Sequence, residues 1–203
     1  MRRIAFLTTF ALLAGLIAPA GVRADEIEVR EVRLRASDEG LVLDAEFRFE
    51  LTPRLADVVA NGVPVYFRVE FELTRRRWYW FDENTASRRL QARLSYHALS
   101  RQYRLSTGLL QQNFPTLEEA LNVLRRVRNW LVVDRTVPLS AGDYEAAVRM
   151  RHDASLLPKP FQLSALTGRD LHLESGWYRF AVRGLEQAPA PVENREPHGG
   201  AAR

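Results

Sequence analysis

The sequence predicts a mainly β protein, an antiparallel two-layer β-sandwich of about 8–9 strands with one short and one medium α-helix. The first observation is that apolar and polar residues alternate in many separate segments, which is typical of strands with one buried and one solvated face. The second is that only two segments have helical spacing instead. Many strands with few helices favour antiparallel sheets packed face to face.

The strongest alternation predicts four strands, at residues 41–51, 65–74, 89–96 and 144–151. Charged and polar side chains occupy the faces of these strands that are expected to meet solvent: Arg68, Glu70 and Glu72 in the second strand, Arg89, Gln91 and Arg93 in the third, and Glu145, Arg149 and Arg151 in the fourth. Weaker patterns predict strands at 27–35, 102–106, 130–137, 161–166 and 171–182, with turns at 38–40 and 82–84.

Two helices are predicted. Thr52 and Pro53 are a favoured N-cap and first helical residue, and the Asn-Gly pair at 61–62 is a stop signal, so residues 53–60 form a short helix. Thr116 and Glu119 form a capping box for a second helix, whose apolar stripe continues to Val127. Arginines at 125, 126 and 128 are then expected to solvate the negative end of this helix.

Residues 1–24 have the pattern of a signal peptide: a basic start, a short apolar run and small residues before the expected cleavage between Ala24 and Asp25. We therefore expect a periplasmic protein, with a membrane tether only if the signal is left uncleaved. The chain has 29 basic and 25 acidic residues, and the loss of Arg2, Arg3 and Arg23 leaves 26 against 25. This near balance argues against nucleic acid as a partner.

We expect one domain at residues 25–186 and a disordered tail at 187–203, which is rich in Pro, Ala, Gly and charge. The chain contains no cysteine, which excludes thiol chemistry, disulfides and a lipoprotein anchor. None of the histidines has the spacing of a metal site or a catalytic triad, so we expect no enzyme, no metal and no cofactor.

The most unusual segment is the arginine-rich and aromatic run at residues 75–83. If it is a strand, Trp78 and Trp80 share one face and could stack on a sugar or on guanidinium groups. Three interpretations of the indoles stay open: part of the core, a protein interface or a carbohydrate platform. Continuation of the alternation from Val65 would place both indoles outside, unless the arginine triplet contains a bulge.

A second candidate is Lys159, the lone lysine of an arginine-rich chain, in the proline-bounded segment 157–161. Its prolines predict a stiff extended backbone. A compact ammonium group could be required here because Lys and Arg differ in geometry, although a chance substitution explains it as well.

Several motifs together resemble those of the domain-of-unknown-function family DUF4390, exported proteins of Gram-negative bacteria. The resemblance covers residues 27–183, and its most specific parts are Arg77-Trp78-Tyr79-Trp80 and Leu157-Pro158-Lys159-Pro160. It implies no catalytic residues, and it implies a membrane sensor kinase as a signalling partner.

These observations predict a non-enzymatic module that binds another envelope protein. Its predicted contact residues are Arg76, Arg77, Trp78 and Trp80, followed by Lys159. The alternative is a carbohydrate-binding module that uses the two indoles as an aromatic platform.

Overall fold

The structure is a computed structural model that describes residues 26–75, 83–139, 142–162 and 171–183. Its fold is mainly β. The strands are β1 (Glu28–Ser37), β2 (Gly40–Arg48), β3 (Val65–Arg75), β4 (Glu83–His97), β5 (Gln102–Thr107), β6 (Leu110–Phe114), β7 (Arg126–Asp134), β8 (Tyr144–His152) and β9 (Tyr178–Val182). The helices are α1 (Pro53–Ala60), α2 (Leu117–Leu124) and a short 3-10 helix, Ala154–Leu156.

The strands form two antiparallel sheets, which confirms the predicted fold class. The smaller sheet has the order β1-β2-β7, and the larger one has the order β6-β5-β4-β3-β8-β9. The two-residue turn between β1 and β2 was also predicted, and it pairs Ser37 with Gly40.

The core lies between the two sheets. From β2, the side chains of Leu43 and Phe47 are almost fully buried, and Phe67, Phe71 and Leu73 of β3 are buried to the same degree. Burial of each such side chain contributes about 1.5–3 kcal/mol to the free energy of folding. The apolar residues whose alternation predicted these strands are therefore also the residues that stabilise them most.

The helix α1 begins and ends at the predicted residues. The Thr52 side chain accepts a hydrogen bond from the Leu55 amide, and Asn61 caps the other end. Helix α2 also begins as predicted, because the Thr116 hydroxyl accepts from the Glu119 amide and donates to the Glu119 carboxylate.

Helix α2 ends at Leu124, so the predicted stripe through Val127 was wrong. Residues Arg126 to Asp134 form β7 instead. The chain turns at Arg125, whose carbonyl accepts from the Phe47 amide and whose guanidinium donates twice to the Phe49 carbonyl. Pairing with β2 therefore outweighs the helical propensity of this stretch.

Further boundaries differ from the predictions. The turn predicted at 82–84 is wrong for its last two residues, because β4 begins at Glu83. Strand β6 was not predicted, and its residues are mostly polar and exposed. The predicted strand at 171–182 is confined to Tyr178–Val182.

The extended backbone predicted for 157–161 is wrong beyond Leu157. Residues 159–162 are helical, and the amides of Phe161 and Gln162 donate to the Pro158 carbonyl. The predicted strand at 161–166 therefore does not begin at Phe161, and its residues 163–166 lie outside the described part. Proline is tolerated in a first helical turn because its missing N–H has no intrahelical partner there.

Candidate functional site

The four leading residues predicted for the contact surface, Arg76, Arg77, Trp78 and Trp80, lie outside the described residues. They belong to the segment between Arg75 and Glu83, which pair with each other at the ends of β3 and β4. The predicted tail at 187–203 and the expected signal at 1–24 also lie outside the described part.

The bulge considered for the arginine triplet is not tested, because Arg76 and Arg77 lie outside the described residues, but the register of the adjoining part of β4 does shift. Leu73 pairs with Ala86 and Thr74 with Asn84, so Thr85 of β4 is the extra residue. Strand β3 keeps an unbroken register with β8 as far as Arg75. The distortion beside the aromatic segment thus arises in β4.

Lys159 is exposed at the start of the helical turn 159–162. It lies outside the cluster of charged side chains described next, so the described structure does not bring it together with a second candidate residue.

The structure gathers charged side chains on the outer face of the six-stranded sheet, opposite the core. The central strand β3 lies between β4 and β8, and Glu70 pairs with Arg89 on one side and Arg149 on the other. Paired residues in adjacent strands share a face. We call the following set the outer arginine face: Arg68, Arg89, Arg93, Arg149 and Arg151.

Glu70 lies at the centre of this face and is only 6% exposed, although the sequence placed it in solvent. Its carboxylate accepts a hydrogen bond from Arg149 Nε at 2.5 Å and another from Arg151 at 3.3 Å. Guanidinium nitrogens of Arg89 and Arg68 lie 3.8 and 3.9 Å from it. The arginines, rather than apolar side chains, therefore bury this carboxylate.

These cations decide the protonation state of Glu70. Burial alone would raise the pKa of its carboxyl, but the hydrogen bond from Arg149 and the charges of Arg151 and Arg149 outweigh that effect. The pKa of Glu70 is therefore lowered, and the side chain is a fixed anion at neutral pH.

Asp153 anchors a second arginine at the edge of the same face. It is 5% exposed, forms an ion pair with Arg68, and accepts a hydrogen bond from the Ser155 hydroxyl at 2.6 Å. Burial alone would raise the pKa of Asp153. The hydrogen bond from Ser155 and the charge of Arg68 have the larger, opposite effect, so the pKa of Asp153 lies below its ordinary value.

Trp177 adds an aromatic side chain to the face. The guanidinium carbon of Arg149 lies 4.5 Å from the centre of the Trp177 ring, within the range of a cation–π contact. Arg149 is thus held on one side by a carboxylate and on another by an indole.

The charges on this face do not balance. Around the two buried carboxylates, Glu70 and Asp153, lie four arginines, Arg68, Arg89, Arg149 and Arg151. When Glu72 and the exposed Arg93 of the same face are included, five arginines lie with three carboxylates, so two positive charges remain unmatched on the described part of this face. Such a face can bind an anionic group without first breaking all its internal pairs.

The sequence correctly assigned these arginines to solvent faces of separate strands, but it did not predict that the three strands are neighbours. Trp177 and Asp153 were not singled out as site residues. The repeated charged residues at outward positions of 65–74, 89–96 and 144–151 were the available signal.

Within the described ranges, no three His, Asp or Glu side chains are grouped in a way that could hold a metal ion. No helix among these residues is long and apolar enough to cross a membrane.

The fold and this face together define an antiparallel β-sandwich in which the outer face of the six-stranded sheet is charged. The chain belongs to the family described as a domain of unknown function, DUF4390, whose model matches residues 24–181. The resemblance identified from the sequence motifs is thereby confirmed. Comparisons with curated proteins and with solved structures give no match.

Proposed function

We propose that this protein is a non-enzymatic module of the periplasm that binds an acidic segment of another envelope protein through the outer arginine face. The observation that carries the proposal is the excess of positive charge around Glu70 and Asp153. Electrostatic complementarity of this kind selects partners and accelerates their encounter.

The arginines of this face are prepared for binding. The side chains of Arg149 and Arg151 are only 29% and 32% exposed, because Glu70 holds both of them against the sheet. Immobilised side chains lose less conformational entropy when a partner binds, which favours affinity. Arginine and tryptophan also supply a large share of the binding energy in protein interfaces.

The more exposed arginines determine which partner fits. The Arg89 side chain is 70% exposed, and Arg93 is exposed on the same strand four residues further along. Their guanidinium groups can bind carboxylates in a bidentate arrangement. An acidic strand or loop of a partner would therefore be recognised here, and the family resemblance suggests a membrane sensor kinase as that partner.

The proposed location follows from the N-terminal pattern of residues 1–24. An exported domain meets other envelope proteins, and the charged face of its sheet is then available to them. N-terminal sequencing of the mature protein tests this part of the proposal. A start at Asp25 is expected, whereas an intact N-terminus at Met1 would show that the segment is retained.

Photocrosslinking in intact cells tests the binding face. A benzophenone amino acid at Gln91, an exposed position beside Arg68, should yield a protein adduct, and the adduct peptide should be acidic. The same group at Arg54, on the exposed side of α1, is the control. An adduct at both positions or at neither, from protein that is folded and exported, would contradict the proposal.

A further inference from the structure

We propose that an apolar cavity between the two sheets binds one acyl chain of an anionic amphiphile, and that Arg126 and Arg128 at its opening bind the headgroup. This site is separate from the outer arginine face, because it lies on the inner side of the six-stranded sheet.

The cavity arises from the unequal sizes of the two sheets. Three strands cannot cover six, and helix α2 packs beside β5, β6 and β7 over part of the remainder. The space left between β4, β5, β7 and α2 has a volume of about 590 Å³. This is within the range of small-molecule sites in proteins, about 300–1,000 Å³.

The walls of this cavity are predominantly apolar. Its inner end reaches Phe67, Val69 and Met150, which belong to the core, and its sides include Leu90, Ala92 and Leu105. A flexible hydrocarbon chain can adapt to such a space, and each buried CH₂ group contributes about 0.8 kcal/mol.

The opening is marked by apolar side chains that would otherwise be costly to expose. Leu110 lines the cavity and is 72% exposed, and Leu109 beside it at the tip of the β5–β6 hairpin is fully exposed. Val123 of α2 also lines the cavity and is 39% exposed. Clustered rather than scattered exposure of this kind marks a ligand or membrane contact.

The positive charges at the opening of the cavity favour a ligand with an anionic headgroup. Arg126 and Arg128 are the charged members of the described lining, which contains no carboxylate. Arg126 is exposed, and the Arg128 side chain is 53% exposed with Glu46 at 3.5 Å. An apolar interior with arginines at its mouth fits a fatty carboxylate or a phospholipid chain, two sources that share this chemistry.

Titration with cis-parinaric acid, a fluorescent fatty acid, tests the cavity. Ala92→Phe fills it, whereas Ala86→Phe makes the same change on the core-facing side of β4 but outside the lining. We expect Ala92→Phe to weaken binding at least about tenfold, since displacement of two CH₂ groups already corresponds to about that factor. Equal affinities of the two variants, or no binding by the wild type, would overturn the proposal.

A second pair of variants covers the case in which Ala92→Phe does not fold. Arg126→Ala combined with Arg128→Ala changes only exposed side chains and should weaken binding of the acid about tenfold, because hydrogen bonds to charged groups are lost. Arg33→Ala combined with Arg54→Ala, at exposed positions outside the lining, removes the same charge and should leave affinity unchanged. Equal effects of both pairs would refute a headgroup site.

Competition distinguishes the two sources of the chain. Oleate that displaces the probe more strongly than vesicles containing phosphatidylglycerol indicates a free fatty acid, and the reverse indicates a phospholipid chain. A neutral long-chain alcohol that competes as well as oleate would contradict the assignment of an anionic headgroup.

Discussion

The charge of Glu70 should stabilise the fold measurably, although it lies on the face opposite the core. We consider Glu70→Gln, which keeps the shape of the side chain and removes its charge. Hydrogen bonds that involve a charged group contribute about 1.5–3 kcal/mol each. Glu70 has a close one to Arg149 and a longer one to Arg151, and both arginines retain solvent contact. We therefore expect the free energy of unfolding to fall by about 2 kcal/mol.

Glu72→Gln is the matched control, since Glu72 lies two residues along the same strand and on the same face but is not enclosed by arginines in the described network. Its effect should stay within about 0.5 kcal/mol, as is usual for surface substitutions. Urea denaturation of the two variants and the wild type at neutral pH measures the difference. Equal stability of the Glu70→Gln and Glu72→Gln variants would refute the role assigned to the arginine network.

The pH dependence provides a second check on Glu70. Because its pKa is lowered in the folded state, its stabilising effect is complete above the ordinary glutamate pKa of about 4.3 and is lost as the pH falls through the folded-state value. The difference between wild type and Glu70→Gln should therefore be constant near neutrality and shrink in acid. A difference that grows in acid would contradict the sign of this effect.

Three further predictions concern the fold. Burial lowers the pKa of His152, so the stability that its neutral ring supports should be present above about pH 6.5 and decline below it by up to about 1.4 kcal/mol per pH unit. His152→Gln should flatten this slope in urea denaturation curves, and an unchanged slope would contradict the assignment. Gly40→Ala should lower the free energy of unfolding by more than about 2 kcal/mol, because φ is +139° and a Cβ would clash with β7. Gly108→Ala, at φ +58° with open space around it, should lower it by about 1 kcal/mol. Similar melting temperatures of the two variants would disprove this difference. Thr52→Ala should lower stability by about 1 kcal/mol through loss of the α1 cap, and Thr52→Ser should restore most of it in the same assay.

The sequence was sufficient for those parts of the fold that depend on local patterns. Strict alternation located β2, β3, β4 and β8, and local capping signals located the start of α2 and both ends of α1. These features are determined by residues close together in the chain, so a single sequence reveals them.

Parts determined by distant contacts could not be predicted in this way. Helix α2 stops at Leu124 because Phe47 and Phe49 of another segment bind the backbone and side chain of Arg125. Strand β6 lacks an apolar face, and only its pairing with β5 identifies it. No local pattern contains either contact.

The same distinction applies to the functional face. The alternation in β3 predicted that Glu70 lies on the outward side of the strand, and this side is correct. Its burial depends on Arg149 and Arg151, about 80 residues further along the chain, and on the placement of β8 next to β3. The aromatic residues Trp78 and Trp80 remain predicted contacts outside the described structure.

Charge reversal on the outer face tests the central proposal most directly. The measured quantity is the yield of the photocrosslinked adduct at Gln91 in cells that carry Arg89→Glu and Arg93→Glu. We expect the adduct to disappear, because an acidic partner segment would be repelled. It should persist when the same charge change is made at Arg33 and Arg54, away from this face. An adduct that survives reversal of Arg89 and Arg93 in folded, exported protein would contradict recognition through the outer arginine face.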